Sequence, residues 1–235
     1  LLAEKGFTSP PRILDSEKGF CIATSADVNL NKIVEKLGEH YEINNTIFKR
    51  HASCGHTHGA IDAALQIRNT HRIETHAITK VLVETYPIAV EVVGKNYEPK
   101  NESEAKFSLP YCVAAALKWG RAGLSEFSEE KLQDSEIRNL MKKTKIVSSD
   151  EFKTTTLGGA KLTVYTTDGR EIGVKVQTPK GYPNNPLSEN EIREKFVGLA
   201  SIVLPKKKIE KILETTYKIE SLSDIGMLTN LLLLT

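Results

Sequence analysis

Residues 162–176 constrain this chain more than any other stretch of it. Leu162, Val164 and Thr166 lead into Asp168-Gly169, and Ile172, Val174 and Val176 lead out. Apolar residues at every second position bury one face of a strand, and an Asp-Gly pair tolerates the positive φ that tight hairpin turns demand. A hairpin is predicted here, which excludes an all-helical fold. A second β-branched run over 78–93, with Ile78, Val81, Val83, Ile88, Val90 and Val92, predicts a strand and room for more. Beyond the hairpin the pattern changes. Pro179, Gly181, Pro183 and Pro186 make 178–186 either an ordered turn-rich loop or a linker. Ser188-Glu189-Asn190-Glu191 is a capping box, ahead of a helix with Ile192, Phe196 and Leu199 on one stripe. Pro205 opens another helix with Ile209, Ile212 and Leu213 inward, and Ile225, Leu228 and Leu232 predict a last one. Strands in the middle and helices at the end define an α+β class.

The remaining stretches fill in around this frame. Leu1-Leu2-Ala3-Glu4-Lys5-Gly6 reads as the last turn of a helix closed by glycine, which predicts that the beginning of that helix lies outside this sequence. Ile33, Val34 and Leu37 predict a short helix ended by Gly38, and Tyr41, Ile43 and Ile47 share one face of a predicted strand. Ile61, Ala64, Leu65 and Arg68 follow helical spacing. Residues 102–117 also read as helical, but Pro110 either restarts a helix at its first turn or kinks one, and Gly120 closes it. Ile137, Leu140 and Met141 mark a helix after the capping candidates Asp134 and Ser135.

Composition removes several partners. Among 235 residues, 32 Lys and Arg face 30 Asp and Glu, a net charge of +2 that argues against nucleic acid, which needs clustered excess cations. The basic run Lys206-Lys207-Lys208 reads as a solvated face. No apolar run approaches the roughly 20 residues that span a bilayer, so no membrane partner is expected. Cys21, Cys54 and Cys112 are too few and scattered for a disulfide framework, which suits a reducing, cytoplasmic setting.

The chemistry is densest in Lys49-Arg50-His51-Ala52-Ser53-Cys54-Gly55-His56-Thr57-His58, between a predicted strand and a predicted helix. Lysine and arginine neutralise carboxylates, a histidine titrating near neutrality moves protons, and a helix beginning near Thr57 adds free N–H groups. Cys54, His56 and His58 are also zinc-ligand types, although without the separated ligand pairs of structural zinc sites. Cys54 could serve as a nucleophile if a histidine served as its base. A solvated polar loop is the plainest alternative. Tyr111, at the start of the helix after Pro110, is either a hydrogen-bond donor to substrate or a tyrosine whose hydroxyl caps backbone.

Four ordered blocks carry a resemblance. They are residues 1–10, residues 49–62, Glu104-Ala105-Lys106-Phe107-Ser108-Leu109-Pro110-Tyr111, and the run from Pro179 to Ser188 that leads to Lys195-Phe196. In these the chain resembles the C-terminal half of the MmgE/PrpD family of 2-methylcitrate dehydratases, cis-aconitate decarboxylases and iminodisuccinate epimerases. The resemblance implies an all-helical domain interrupted by an inserted α+β domain. Residues 1–18 would then end the helical part, 19–185 form the α+β domain, and 186–235 return to a helical domain whose N-terminal half is absent. It further implies a cofactor-independent and metal-free lyase or isomerase for a di- or tricarboxylate, most simply dehydration of a 2-methylcitrate-like acid by α-proton abstraction. Decarboxylation and epimerisation are the alternatives within the family. Lys49, His58 and Tyr111 would be catalytic, and Arg50, Cys54 and His56 would bind substrate. The chain departs from the family at His51-Ala52, where many relatives have an aromatic residue and proline, and at Cys54, where some have histidine. A homodimer or a second, helical chain would complete the site. A non-catalytic fragment, or one subunit of a split enzyme, is the rival expectation.

Overall fold

The computed structural model describes residues 1–152 and 158–233, which form two compact units, 1–46 and 47–235. In the first unit, a 3-10 turn Ala3–Lys5 is closed by Gly6 in the left-handed region, with its N–H on Ala3 O. A short helix α1 (Phe20–Thr24) lies in a stretch that sequence patterning leaves irregular. Two expected elements are absent. The helix around Ile33 is a 3-10 turn, Leu30–Ile33, and the strand expected over 41–48 is a 3-10 turn, Glu42–Asn45, followed by extended chain. Asn44 N donates to Tyr41 O at 3.0 Å and Thr46 N to Ile43 O at 3.1 Å, local main-chain bonds that use the groups a strand would pair, and no strand among the described residues lies beside this segment.

The second unit is built on a four-stranded sheet, β1 (Ile78–Thr85), β2 (Thr144–Ser148), β3 (Ala160–Thr166) and β4 (Glu171–Val176), in the order β2-β1-β3-β4. Strands β1 and β2 are parallel, while β1–β3 and β3–β4 are antiparallel. The expected hairpin is β3–β4. Gly169 turns it at φ +81°, and Asp168 accepts bonds from Thr166 Oγ1 and Arg170 N. Val81, Val83, Leu162, Val164, Ile172 and Val176 are buried on one face. The other face carries Lys80, Glu84 and Lys161, with an ion pair of 3.4 Å between the last two.

Helices cover the apolar face. α2 (His58–His71) packs on β3, β4 and α5 (Leu109–Trp119), which in turn packs on α7 (Ser135–Lys143). The 78–93 run divides into β1 and α3 (Pro87–Val93), with proline in the first turn of the helix. Pro110 restarts a helix rather than kinking one. α4 (Glu102–Lys106) ends, and α5 begins with Ser108 Oγ accepting the Tyr111 N–H at 3.2 Å. α6 (Glu129–Leu132) precedes α7, whose N-cap is Asp134 as expected. Residues 178–186 are an ordered loop, not a linker: Asn185 Nδ2 donates to Thr178 O at 2.8 Å, and Gly181 N to Asn185 O at 2.9 Å. α8 (Glu189–Ala200), with its capping box, and α9 (Lys206–Thr216) follow, and the last expected helix is the short α10 (Gly226–Thr229). The three lysines that open α9 begin with Lys206, whose side chain is 91% exposed. No helix among the described residues is long and apolar enough to cross a membrane.

Candidate active site

Three distant stretches of chain pin residues 48–54 by main-chain bonds. Phe48 N donates to Gly181 O at 2.8 Å, Ala52 N to Ala122 O at 2.9 Å, and Cys54 N to Lys106 O at 2.9 Å. A 3-10 turn, Gly55–Thr57, then feeds directly into α2. The segment is thereby rigid where its side chains face a cleft of about 880 Å³.

Cations outnumber acids along that cleft. Lys49, Arg50, Lys106, Arg121 and Lys195 line it, with Glu126, Glu191 and Glu194 as its acids. Most of the cations are spoken for. Arg50 lies 3.5 Å from Asp62 and 3.4 Å from Glu191, Arg121 lies 2.7 Å from Glu126, and Lys106 lies 3.4 Å from Glu102. Lys49 and Lys195 have no carboxylate partner among the described residues. Lys195 Nζ instead donates to the Lys49 carbonyl. Burial, and then the Lys49 charge, push the Lys195 pKa down. Two lysines that line one cleft without carboxylate partners among the described residues offer positive charge to an anion.

The histidines diverge. His51, only 6% exposed, holds Nε2 at 2.9 Å from Asp62 Oδ1, and the Lys180 N–H donates to Asp62 Oδ2 at 2.8 Å. Burial alone would raise the Asp62 pKa, but the His51 bond and charge, the Lys180 N–H and Arg50 hold it below the ordinary carboxylate value. His58 lies behind, 2% exposed, its ring edge-on to His51 with centroids 5.1 Å apart. Its Nε2 is buried without a hydrogen-bond partner among the described residues. Burial first, and then the His51 charge, lower its pKa to about 4. His56 turns the other way, with Nδ1 2.5 Å from the Tyr86 hydroxyl. Burial and Lys49 lower its pKa.

The structure places the expected site residues in different surroundings. Lys49, Arg50 and Cys54 line the cleft; His56 and His58 do not. Tyr111 is also outside it. Its side chain is 1% exposed, its hydroxyl donates to Glu126 O at 2.6 Å, and burial raises its pKa. That hydroxyl caps backbone and holds the turn Leu124–Phe127, whose Glu126 side chain reaches the cleft. Among the described residues no three His, Cys, Asp or Glu side chains converge as a metal site, since His56 and His58 point apart. Sequence reasoning passed over Asp62 as the partner of His51, and over Arg121 and Lys195. Asp62 did carry a signal, a lone charge inside Gly59-Ala60-Ile61-Asp62-Ala63-Ala64-Leu65, where burial requires a partner.

Residues 51–219 match the MmgE/PrpD C-terminal domain. The chain is 26% identical over 247 residues to the cis-aconitate decarboxylase-like protein oryM of Aspergillus oryzae, covering 99% of this chain and 51% of that protein. It is 27% identical over 240 residues to cis-aconitate decarboxylase of Homo sapiens, covering 98% and 49%, and 24% identical over 212 residues to that of Aspergillus terreus, covering 86% and 43%. The chain thus spans about half the length of the curated relatives it matches.

Proposed function

The chain belongs to the MmgE/PrpD family, and on that premise we propose that it forms the C-terminal part of a lyase acting on a di- or tricarboxylate. The observation that carries the reading is the pair Lys49 and Lys195, two ammonium groups on one cleft without carboxylate partners among the described residues. In the reaction, Lys49 holds a substrate carboxylate and stabilises the charge that grows on it as the neighbouring carbon loses a proton. Arg50 and Cys54 shape the same wall. His58, neutral at pH 7, acts from behind that wall, and Tyr111 acts through the turn it holds. His56 is fixed to Tyr86 and touches substrate only if that pair opens. No cofactor has a role in this reading.

Dehydration of a 2-methylcitrate-like acid fits such a site. The names of the curated relatives favour a second reading, decarboxylation of cis-aconitate. Both need carboxylates held by cations and a proton exchanged at carbon. The rest of the site comes, in this reading, from helical chain beyond 19–185, contributed by the same protein, a second copy or a second polypeptide working in the cytoplasm. The free thiols of Cys21, Cys54 and Cys112 suit that compartment.

The test is Lys49→Ala in the complete enzyme, assayed on 2-methylcitrate, citrate, cis-aconitate and iminodisuccinate. A solvated lysine changes stability by about 0.5 kcal/mol or less, whereas losing a catalytic charge contact costs about 100-fold in rate. Water loss or carbon dioxide release from the best substrate separates the two reactions. Unchanged turnover in Lys49→Ala refutes the site.

A further inference from the structure

We propose that His51, positioned by Asp62, is the group that exchanges a proton with the bound carboxylic acid. The inference rests on the carboxylate-lyase reading and adds to it the identity of the acid–base residue. His51 lines the cleft with Lys49 and Arg50, whereas His58 and Tyr111 lie behind its wall. Its ring is nevertheless well held, 6% exposed, against the edge of His58 at 5.1 Å.

Asp62 decides which nitrogen works. The carboxylate accepts from Nε2 at 2.9 Å, so the neutral imidazole carries its proton there and presents the Nδ1 lone pair. Nδ1 has no partner among the described residues, and unlike His58 Nε2 it is not sealed from solvent. Asp62 is itself held in place: Oδ2 takes the Lys180 N–H at 2.8 Å, and Arg50 stands 3.5 Å from Oδ1. An oriented, buried carboxylate, an imidazole with one nitrogen tied back and the other open, and a cationic cleft in front form a base aimed at an anionic substrate.

In elimination the C–H bond next to a carboxylate breaks and its proton passes to His51 Nδ1. The electron pair becomes the new C=C bond as the C–O bond on the next carbon breaks, and the hydroxide that leaves becomes water by taking the proton that His51 has taken up. In decarboxylation His51 Nδ1 first takes up a proton from solvent; the C–C bond to the carboxylate breaks, carbon dioxide leaves, and the electron pair left on carbon takes that proton. Either way Asp62 stays ionised and stabilises the imidazolium.

The test uses the complete enzyme labelled with ¹⁵N-histidine and ¹⁵N-lysine, with citrate as the probe. His51 resonances are identified by their loss in His51→Gln, a change that leaves Asp62 in place. At neutral pH His51 is expected as the Nε2–H form, with a saturable shift of its ring nitrogens on adding citrate. Asp62→Asn should shift the tautomer balance of His51 away from the Nε2–H form. If that variant does not fold, the wild-type tautomer and the citrate titration decide alone. A wild-type ring protonated on Nδ1 overturns the proposal. So does citrate that saturates the Lys49 and Lys195 ammonium signals while leaving His51 unmoved, a result that keeps the lyase reading. Absence of any saturable citrate effect overturns both.

Discussion

His58 is 2% exposed, and its Nε2 finds no partner among the described residues, so a proton placed on it has little to compensate the lost hydration. The cost appears as pH-dependent stability. The unfolded chain takes up this proton near the ordinary 6.5, and the folded chain only near about 4. Between those values the unfolded state binds more protons, so stability falls as pH drops from 6.5 toward 4 and is insensitive to this group above that window. At about 1.4 kcal/mol per pH unit, the loss is on the order of 3 kcal/mol. Asp62 acts in the next window down: its pKa is depressed in the folded protein, so its contribution disappears only as pH falls below the ordinary carboxylate value. Urea denaturation of His58→Gln and of the unmodified chain, from pH 7 to pH 4, checks this. The variant should lack the His58 share of the loss between 6.5 and 4, about 3 kcal/mol, and parallel pH curves for the two proteins would remove His58 as a source.

At the scale of elements, the loop at 178–186 positions the site through one glycine. Gly181 sits at φ +96°, and a Cβ there would meet the Phe48 carbonyl oxygen at 2.0 Å. Gly169 has a similar φ of +81°, but nothing lies within 4 Å of its Cβ position. Gly169→Ala should therefore cost only the left-handed strain, about 1–2 kcal/mol, while Gly181→Ala adds a backbone collision and displaces Phe48, one residue before Lys49. Denaturant midpoints at unchanged slope measure the difference, and equal losses would mean that the contact does not matter. Much of this architecture is legible in the sequence, because it is written in local chemistry: the Asp168-Gly169 turn, the Ser188–Glu191 box, and Pro110 at a first turn. Strand β2 escaped such a reading. It is five residues long with Lys145 inside it, and it exists because β1 offers it a parallel edge. The alternation at Tyr41, Ile43 and Ile47 misled for the opposite reason, since no strand among the described residues neighbours it. Part of the candidate site was legible as well. Lys49, Arg50 and Cys54 stand in one run, but Arg121 and Lys195 join them from distant segments that only tertiary packing brings together.

Across the second unit, burial is uneven, and that sets where the protein opens. Strand β1 is paired on both sides, and α5 buries residues 109–117 without interruption. α9 is held by Ile209, Ile212 and Thr215. α8 has no buried residue, while Ile192, Leu199, Ile202 and Val203 in and beyond it are exposed. Local opening free energy follows the surface that opening exposes, so amide exchange should be slowest in β1, β3 and α5, intermediate in α9 and fastest in α8. Equal protection of α8 and β3 in the unliganded chain would contradict this order. Yet α8 carries Lys195, Glu191 and Glu194 into the cleft. An anion held between Lys49 and Lys195 binds the closed helix and not the open one. At a citrate concentration 100 times its Kd, that linkage stabilises the closed form by about 2.7 kcal/mol. Protection in α8 should then rise by as much as about 100-fold, while β1 and β3, already limited by larger openings, change little. A rise spread evenly over the unit would mean that citrate binds without α8, and no rise at all would mean that Lys195 does not hold it.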